Sequence, residues 1–481
     1  MTRISASKRA GVRMMVAVAV ILATNAWAEQ VSPITISGRV VDGAGQPLAG
    51  AVVTCYVNTY SEAIRDYAGI KLGETITQAD GAYSFEAAGE SPSYRFGFVV
   101  AQKAGYALTY ATWPMQSDQQ TDITLGAPKT LAGVVVDEDG TPVPQATVAI
   151  SVLMAGVGPD NLGLARTVGP QVLVVTSDAE GRFAFRNLPA GATAEFVVKK
   201  AGRASIDTFD RQAGRSAGYK YAVGQADIEL VQHAAARIEG VVVDRDTGQP
   251  VAGIPLRVME GGATPLATHD LITSAQDGTF RIDALPPGNH VIRLMAPLPR
   301  EGMAKWVAEP LSVAVEAGQT IADGRIEVSK GGVLEVLVTD ATANKPIPGV
   351  TVSLRHPVQE TWASGVSDAS GLARVRLVPG TYLLQNVAAP SYSTESRQQI
   401  VTVVEGRTQR IDVTLQARPK TAGVIRDAHG QPVAGATVQV MPGGSRGEAV
   451  SDTRGKYEVT WDPSFWGERG TTFCLLVRHT E

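Results

Sequence analysis

At 481 residues the chain is too long for a single hydrophobic core, because such cores stop growing at roughly 250–300 residues and longer chains split into domains. Its 43 Lys and Arg against 47 Asp and Glu give a formal net charge of −4, which excludes a protein that grips nucleic acid through basic clusters. Only two cysteines occur, Cys55 and Cys474, so a disulfide framework is excluded and stability has to come from repeated apolar cores.

The N-terminus places Arg3, Lys8, Arg9 and Arg13 before an apolar run from Met14 to Ala23, followed by Ala26-Trp27-Ala28. That is the charged, apolar and small-x-small order of a secretory signal peptide over residues 1–28. The run is well short of the ~20 apolar residues a membrane-crossing helix requires, and no other stretch approaches that length. The expectation is therefore an exported chain, periplasmic or extracellular and on the cell surface, with no membrane span in the mature protein. Fifty Gly, twenty-seven Pro and few helical patterns point to many short strands joined by turns.

A signature recurs beyond that segment: Gly38-Arg39-Val40-Val41-Asp42 with Gly45-Gln46-Pro47, Gly133-Val134-Val135-Val136-Asp137 with Gly140-Thr141-Pro142, Gly240-Val241-Val242-Val243-Asp244 with Gly248-Gln249-Pro250, and Gly423-Val424-Ile425-Arg426-Asp427 with Gly430-Gln431-Pro432. A fainter copy runs Val336-Leu337-Val338-Thr339-Asp340 with Pro346-Ile347-Pro348. The Asp residues lie 95, 107, 96 and 87 positions apart, a domain-sized period and not a solenoid period. Each copy reads as a strand, a turn in which Asp bonds backbone N–H groups and Gly takes positive φ, and a second strand that re-enters through Pro. In the second strands Val53 and Cys55, Val148 and Ile150, Leu256 and Val258, Val352 and Leu354, and Val438 and Val440 share one face by alternation. Cys55 is thus expected in a core, where a thiol packs as a small apolar group.

Two further patterns mark the units. Asp80, Asp178, Asp277, Asp368 and Asp452 each precede a turn Gly, directly or after two residues. One carboxylate per turn falls far short of the six to eight oxygens calcium requires, so these read as plain turns. Closing strands follow at Ile123-Thr124-Leu125, Ile228-Glu229-Leu230, Ile326-Glu327-Val328 and Val413-Thr414-Leu415, each alternating as a half-buried strand does. The fifth unit runs to Leu475-Leu476-Val477 and Glu481 with no such strand. The predicted architecture is all-β: five tandem Ig-like or transthyretin-like β-sandwich modules at residues 33–127, 129–231, 236–329, 332–416 and 419–481, the last incomplete and so expected to continue beyond Glu481 or to end in a defective module. Short linkers such as Gly126-Ala127-Pro128 and Gly331-Gly332 predict a semi-stiff rod.

The Gly-x-Val-x-Asp, Gly-x-Pro, Asp-x-x-Gly-x-Phe and Leu-Pro-x-Gly series (Leu188-Pro189-Ala190-Gly191 and Leu285-Pro286-Pro287-Gly288) resembles carboxypeptidase regulatory-like domains across residues 33–481. The resemblance implies a sandwich similar to transthyretin-like and collagen-adhesin B-type modules, grouped with carbohydrate-binding-like folds. It is specific for fold and poor for function, since the scaffold hosts adhesins, stalks and sugar-binding modules alike. Adhesin relatives carry a Lys–Asn isopeptide bond between the first and last strands. Here the first strands read as Ile36-Ser37-Gly38-Arg39, Ile238-Glu239-Gly240 and Ala422-Gly423 without Lys, Lys129, Lys330 and Lys420 falling in the linkers just before three units, and the last strands hold no Asn, so no cross-link of that kind is expected.

Catalytic chemistry is not found. The six histidines are scattered, with no H-x-x-E or H-E-x-x-H pair to hold zinc. Gly214-Arg215-Ser216-Ala217-Gly218 and Gly443-Gly444-Ser445-Arg446-Gly447 match G-x-S-x-G, yet they lie in polar loops that lack the strand–helix context of a nucleophile elbow. No metal and no cofactor are expected. What remains is the aromatic concentration of the first module, in which Tyr60, Tyr67, Tyr106, Tyr110 and Trp113 are candidate ligand-binding residues. A sugar face stacks on such rings, and the competing reading is that they cap their own sandwich. The functional expectation is an exported, non-catalytic binding and spacing protein whose partner is a polysaccharide, a cell-surface glycan or another surface protein. The alternatives are a structural or protein–protein interaction stalk, or an accessory region of a longer enzyme or sensor.

Overall fold

One hydrogen-bond scheme is repeated five times. In each unit a residue in the first strand or directly after it donates its N–H to the carbonyl of the turn Gly after the second Asp: Val40 to Gly81 at 2.9 Å, Val135 to Gly181 at 2.8 Å, Val242 to Gly278 at 2.8 Å, Val338 to Gly371 at 2.8 Å and Ile425 to Gly455 at 2.7 Å. The same residue's C=O accepts from the residue after the turn proline, Leu48, Val143, Val251, Ile347 and Val433 respectively. These contacts pin the two turns onto the first strand. The computed structural model describes residues 34–61, 66–87, 94–113, 119–155, 164, 168–208, 221–260, 264–265, 271–297, 301–357, 362–389, 391–393, 399–441, 448–460 and 474–478. Residues 1–28, which the sequence suggests are a signal peptide, lie outside them.

The fold is a tandem array of β-sandwiches, and the one helix among the described residues is a single turn, Gly169–Val172. The fourth module displays the plan most simply. One sheet runs Leu372–Leu377, Gly332–Asp340, Thr408–Leu415; the facing sheet runs Trp362–Val366, Thr351–Arg355, Gly380–Ala388, Gln399–Val403. The first strand pairs antiparallel with Leu372–Leu377 on one side and parallel with the closing strand on the other. The closing strands of the first three modules, Ile123–Leu125, Ile228–Val231 and Thr320–Ser329, pair parallel with their first strands in the same way. A parallel neighbour needs a long crossover, which here carries the chain through the opposite sheet before it returns.

Alternation sorts the side chains. Leu334, Val336 and Val338 of the first strand are buried, and their neighbours are half exposed. The paired positions of the second strands, from Val53 and Cys55 to Val438 and Val440, are buried in all five units. Each Val or Leu fully withdrawn from water contributes about 1.5–3 kcal/mol, and four buried apolar clusters collect them in the first four modules. The fifth module is sparser. Among the described residues it has Lys420–Val424 paired with Lys456–Thr460, and Glu448–Val450, Thr437–Met441 and Cys474–Arg478 in a second sheet. Lys420 here and Lys129 in Pro128–Val136 stand inside first strands and not, as expected, in linkers, because strand pairing extends past the apolar run into the polar residues before it.

Neighbouring modules are in contact. Tyr56, Phe98, Val100 and Leu108 of the first module belong to the same buried apolar cluster as the core of the second, and Leu108 N–H donates to the Asn187 carbonyl at 2.7 Å. At the second joint Ser205 N–H donates to the carbonyl of Ala284 at 3.0 Å. Ala284 has φ of 60°, a left-handed conformation costing an L-residue of order 1–2 kcal/mol, which the surrounding joint must hold in place.

Candidate functional site

The repeated aspartates are the most numerous acids in matched positions. Asp42 Oδ1 accepts from Ala44 N–H at 2.9 Å and Gln46 N–H at 2.8 Å, and Asp427 Oδ1 from His429 and Gln431, both at 2.8 Å. In the second set Asp178 accepts from Glu180 and Arg182 N–H, and Asp452 from Arg454 and Lys456 N–H. Backbone N–H bonds from Arg182 and Lys456 hold the Asp178 and Asp452 carboxyls below their ordinary range. Their lone pairs therefore close turns. Among the described residues no three His, Cys, Asp or Glu gather to hold a metal ion.

A hydroxyl that sequence reading missed sits just before each of those turns. Thr77, Ser177, Ser274, Ser367 and Ser451 are buried. Each hydroxyl accepts an N–H, from Ala51, Ala146, Ile254, Val350 and Ala436, and donates to a carbonyl, of Leu48, Val143, Val251, Ile347 and Val433. The clamp ties the loop after the first Asp turn to the strand before the second. Its signal was present in the sequence as a Ser or Thr one or three residues before Asp, yet that reads as ordinary turn chemistry.

Three of the four described histidines contact neighbouring groups through their rings. His290 Nε2 lies 2.7 Å from the Pro286 carbonyl, His233 Nδ1 lies 3.3 Å from Glu138 Oε1, and His356 meets Tyr382 edge-on. Both G-x-S-x-G stretches and Trp461 and Trp466 lie outside the described residues.

Of the first-module aromatics, Tyr106 is half-buried against that module's own core. Tyr110 reaches across the first joint: its hydroxyl donates to the Leu153 carbonyl at 2.7 Å, receives Ala155 N–H at 3.3 Å, and its ring meets Phe98 edge-on. Tyr60 and Tyr67 are cross-strand backbone partners, and Trp113 pairs with Gly97; the side chains of these three lie outside the described residues. The five candidates are therefore not gathered on one face by anything described: two of them pack inside the protein, one within its module and one between modules.

A cleft with a volume of about 560 Å³ opens where the third and fourth modules meet. One wall holds Arg293, Met295 and Met303; the other holds the Trp362–Val366 strand and Arg374 and Arg376. Trp362 is 61% exposed at its mouth. The walls are fixed relative to each other, because the Arg376 guanidinium donates to the Ala304 carbonyl at 2.8 Å and to the Lys330 carbonyl. The Lys330 ammonium in turn rests 3.3 Å from the Trp306 ring centroid, a cation–π contact worth about 0.5–2 kcal/mol.

Comparison with known proteins matches residues 333–416, the fourth module, to the carboxypeptidase regulatory-like domain. No curated protein matches the chain. Among solved structures it is similar to the TIE protein of Bacillus anthracis, at 14% identity, TM-score 0.19, over 77% of this chain and 70% of that one. It is similar to the minor pilin of Streptococcus agalactiae at 16% identity, TM-score 0.22, over 40% and 100%, and to 3-chlorocatechol 1,2-dioxygenase of Rhodococcus opacus at 15% identity, TM-score 0.16, over 20% and 60%.

Proposed function

We propose that this chain acts outside the cytoplasm as a non-catalytic array of sandwich modules that presents binding surfaces at fixed separations. The observation that carries the reading is the construction of the joints. Leu108 N–H to Asn187, Ser205 N–H to Ala284 and the Arg376 clamp each replace a free linker by a directed hydrogen bond in a contact between modules. Acids in repeated positions are used up in turns, which is the economy of a scaffold. Small-angle scattering of residues 29–481 tests it: one stiff, elongated particle is expected, with a maximum dimension unchanged between low and high salt. A broad distribution of dimensions, as free beads on linkers give, would refute the reading. Export is tested separately by fusing residues 1–28 to a reporter and following its cleavage after Ala28.

Glycan binding is the finer part of the proposal. Its support is the aromatic concentration of the first module in the sequence, Tyr60, Tyr67, Tyr106, Tyr110 and Trp113. Binding of the full chain to a glycan panel, weakened by Trp113→Ala, is the expected result. Binding indifferent to that substitution would remove the first module from consideration.

A further inference from the structure

We infer that the cleft between the third and fourth modules captures an extended acidic peptide segment of another protein. The cleft follows two sheet edges at once. Trp362–Val366 is the outer strand of the four-stranded sheet of the fourth module, and Leu372–Leu377 is the outer strand of its three-stranded sheet. All five residues of the first edge line the cleft, together with Leu372, Arg374, Val375 and Arg376 of the second. Among the described residues neither edge has a strand on its outer side. An exposed edge is a row of backbone donors and acceptors spaced for a further strand, and adding one is an established mode of peptide recognition.

The side chains around that edge select the kind of strand. Met295 and Met303 stand opposite and Trp362 stands at the mouth, unbranched thioethers and an indole that adapt to varied apolar side chains. The lining carries three arginines, Arg293, Arg374 and Arg376, and one acid, Asp368. Arg374 is answered by Glu335 at 3.0 Å and Asp368 at 3.2 Å, whereas Arg376 is bonded to neutral carbonyls and has no ion-pair partner among the described residues. Alternate residues of an added strand point to opposite faces, so apolar residues alternating with Asp or Glu satisfy both features. The Arg376 clamp keeps the cleft formed before the partner arrives, which lowers the ordering cost of binding. A sugar chain could stack on Trp362 but would leave the strand edges unused.

The test titrates full-chain protein into fluorescein-labelled decapeptides with Glu at every second position and Val, Leu or Phe between them, read by fluorescence polarisation. Saturable binding of at least one peptide is expected, weakened about tenfold or more by Trp362→Ala, an exposed position at an interface hot-spot residue type. Replacing Glu by Lys in the peptide should abolish binding, and hydrogen exchange should slow at the amides of Ala363–Val366 or Ala373–Arg376. The inference falls if no peptide binds, if Trp362→Ala binds as well as the parent, or if an oligogalacturonate binds in a Trp362-dependent manner while the peptides do not. It falls equally if the bound peptide slows exchange only elsewhere in the chain. None of these outcomes depends on the stiffness of the array or on its export.

Discussion

At the scale of single residues, the fold is held by small groups used the same way in every unit. Ser367 is the clearest: its buried hydroxyl accepts Val350 N–H at 2.9 Å and donates to the Ile347 carbonyl at 2.7 Å. Ser367→Ala strands both backbone groups and should cost about 1–3 kcal/mol in chemical denaturation, while Ser367→Thr should be tolerated because Thr77 fills the same slot in the first module. Gly371, at φ of 75°, leaves no room for a side chain, since a Cβ there would lie 2.6 Å from the Val338 carbonyl oxygen. Asp277 gives the acid response. Its carboxyl is held low, first by the Thr279 hydroxyl at 2.7 Å and then by Thr279 N–H. A depressed folded-state pKa means stability is fully present above the unfolded carboxylate value of about 3.9 and is lost as pH falls through the folded value. Melting temperature should therefore fall more steeply below about pH 4 in the parent than in Asp277→Asn, which keeps an acceptor but does not titrate.

At the scale of elements, alternation decided which face each strand buries, and the structure agrees at Val53, Val148, Leu256, Val352 and Val438. Alternation could not say which strand lies beside which. Ile123–Leu125 and its counterparts read correctly as half-buried closing strands, yet their parallel pairing with the first strand depends on crossover topology and no local pattern encodes it. The Thr109–Trp113 strand teaches the same lesson for the candidate site. Its aromatic content was legible, but Tyr110 is engaged by a module that begins some twenty residues later in the chain. Tyr110→Phe should cost about 1 kcal/mol, seen as faster hydrogen exchange at Ala155 with the fourth module unchanged.

At the scale of the whole molecule, the joints matter more than the modules. Gly331, at φ of 54°, sits where a Cβ would lie 2.2 Å from the Leu377 carbonyl oxygen and 2.6 Å from Val307 Cγ2. Its N–H bonds Ser329 Oγ and its carbonyl accepts Gly406 N–H. Gly331→Val should therefore pry the third and fourth modules apart while leaving each sandwich folded. Scattering would register a wider spread of dimensions, and unfolding would show two separated transitions in place of a coupled one. The same substitution should open the Trp362 cleft, because Arg376 could no longer span to Ala304.

The sequence by itself determined the repeat, the class of fold, the turn chemistry and the buried faces. All of these follow from local dihedral preferences and from a two-residue period that a single strand carries within itself. Only the tertiary structure decided that the turn hydroxyls are buried clamps, that closing strands return parallel, that Tyr110 belongs to a joint, and that two sheet edges and three arginines frame one cleft. Those arrangements bring together residues tens of positions apart, and no pattern within one segment records which distant segment will press against it.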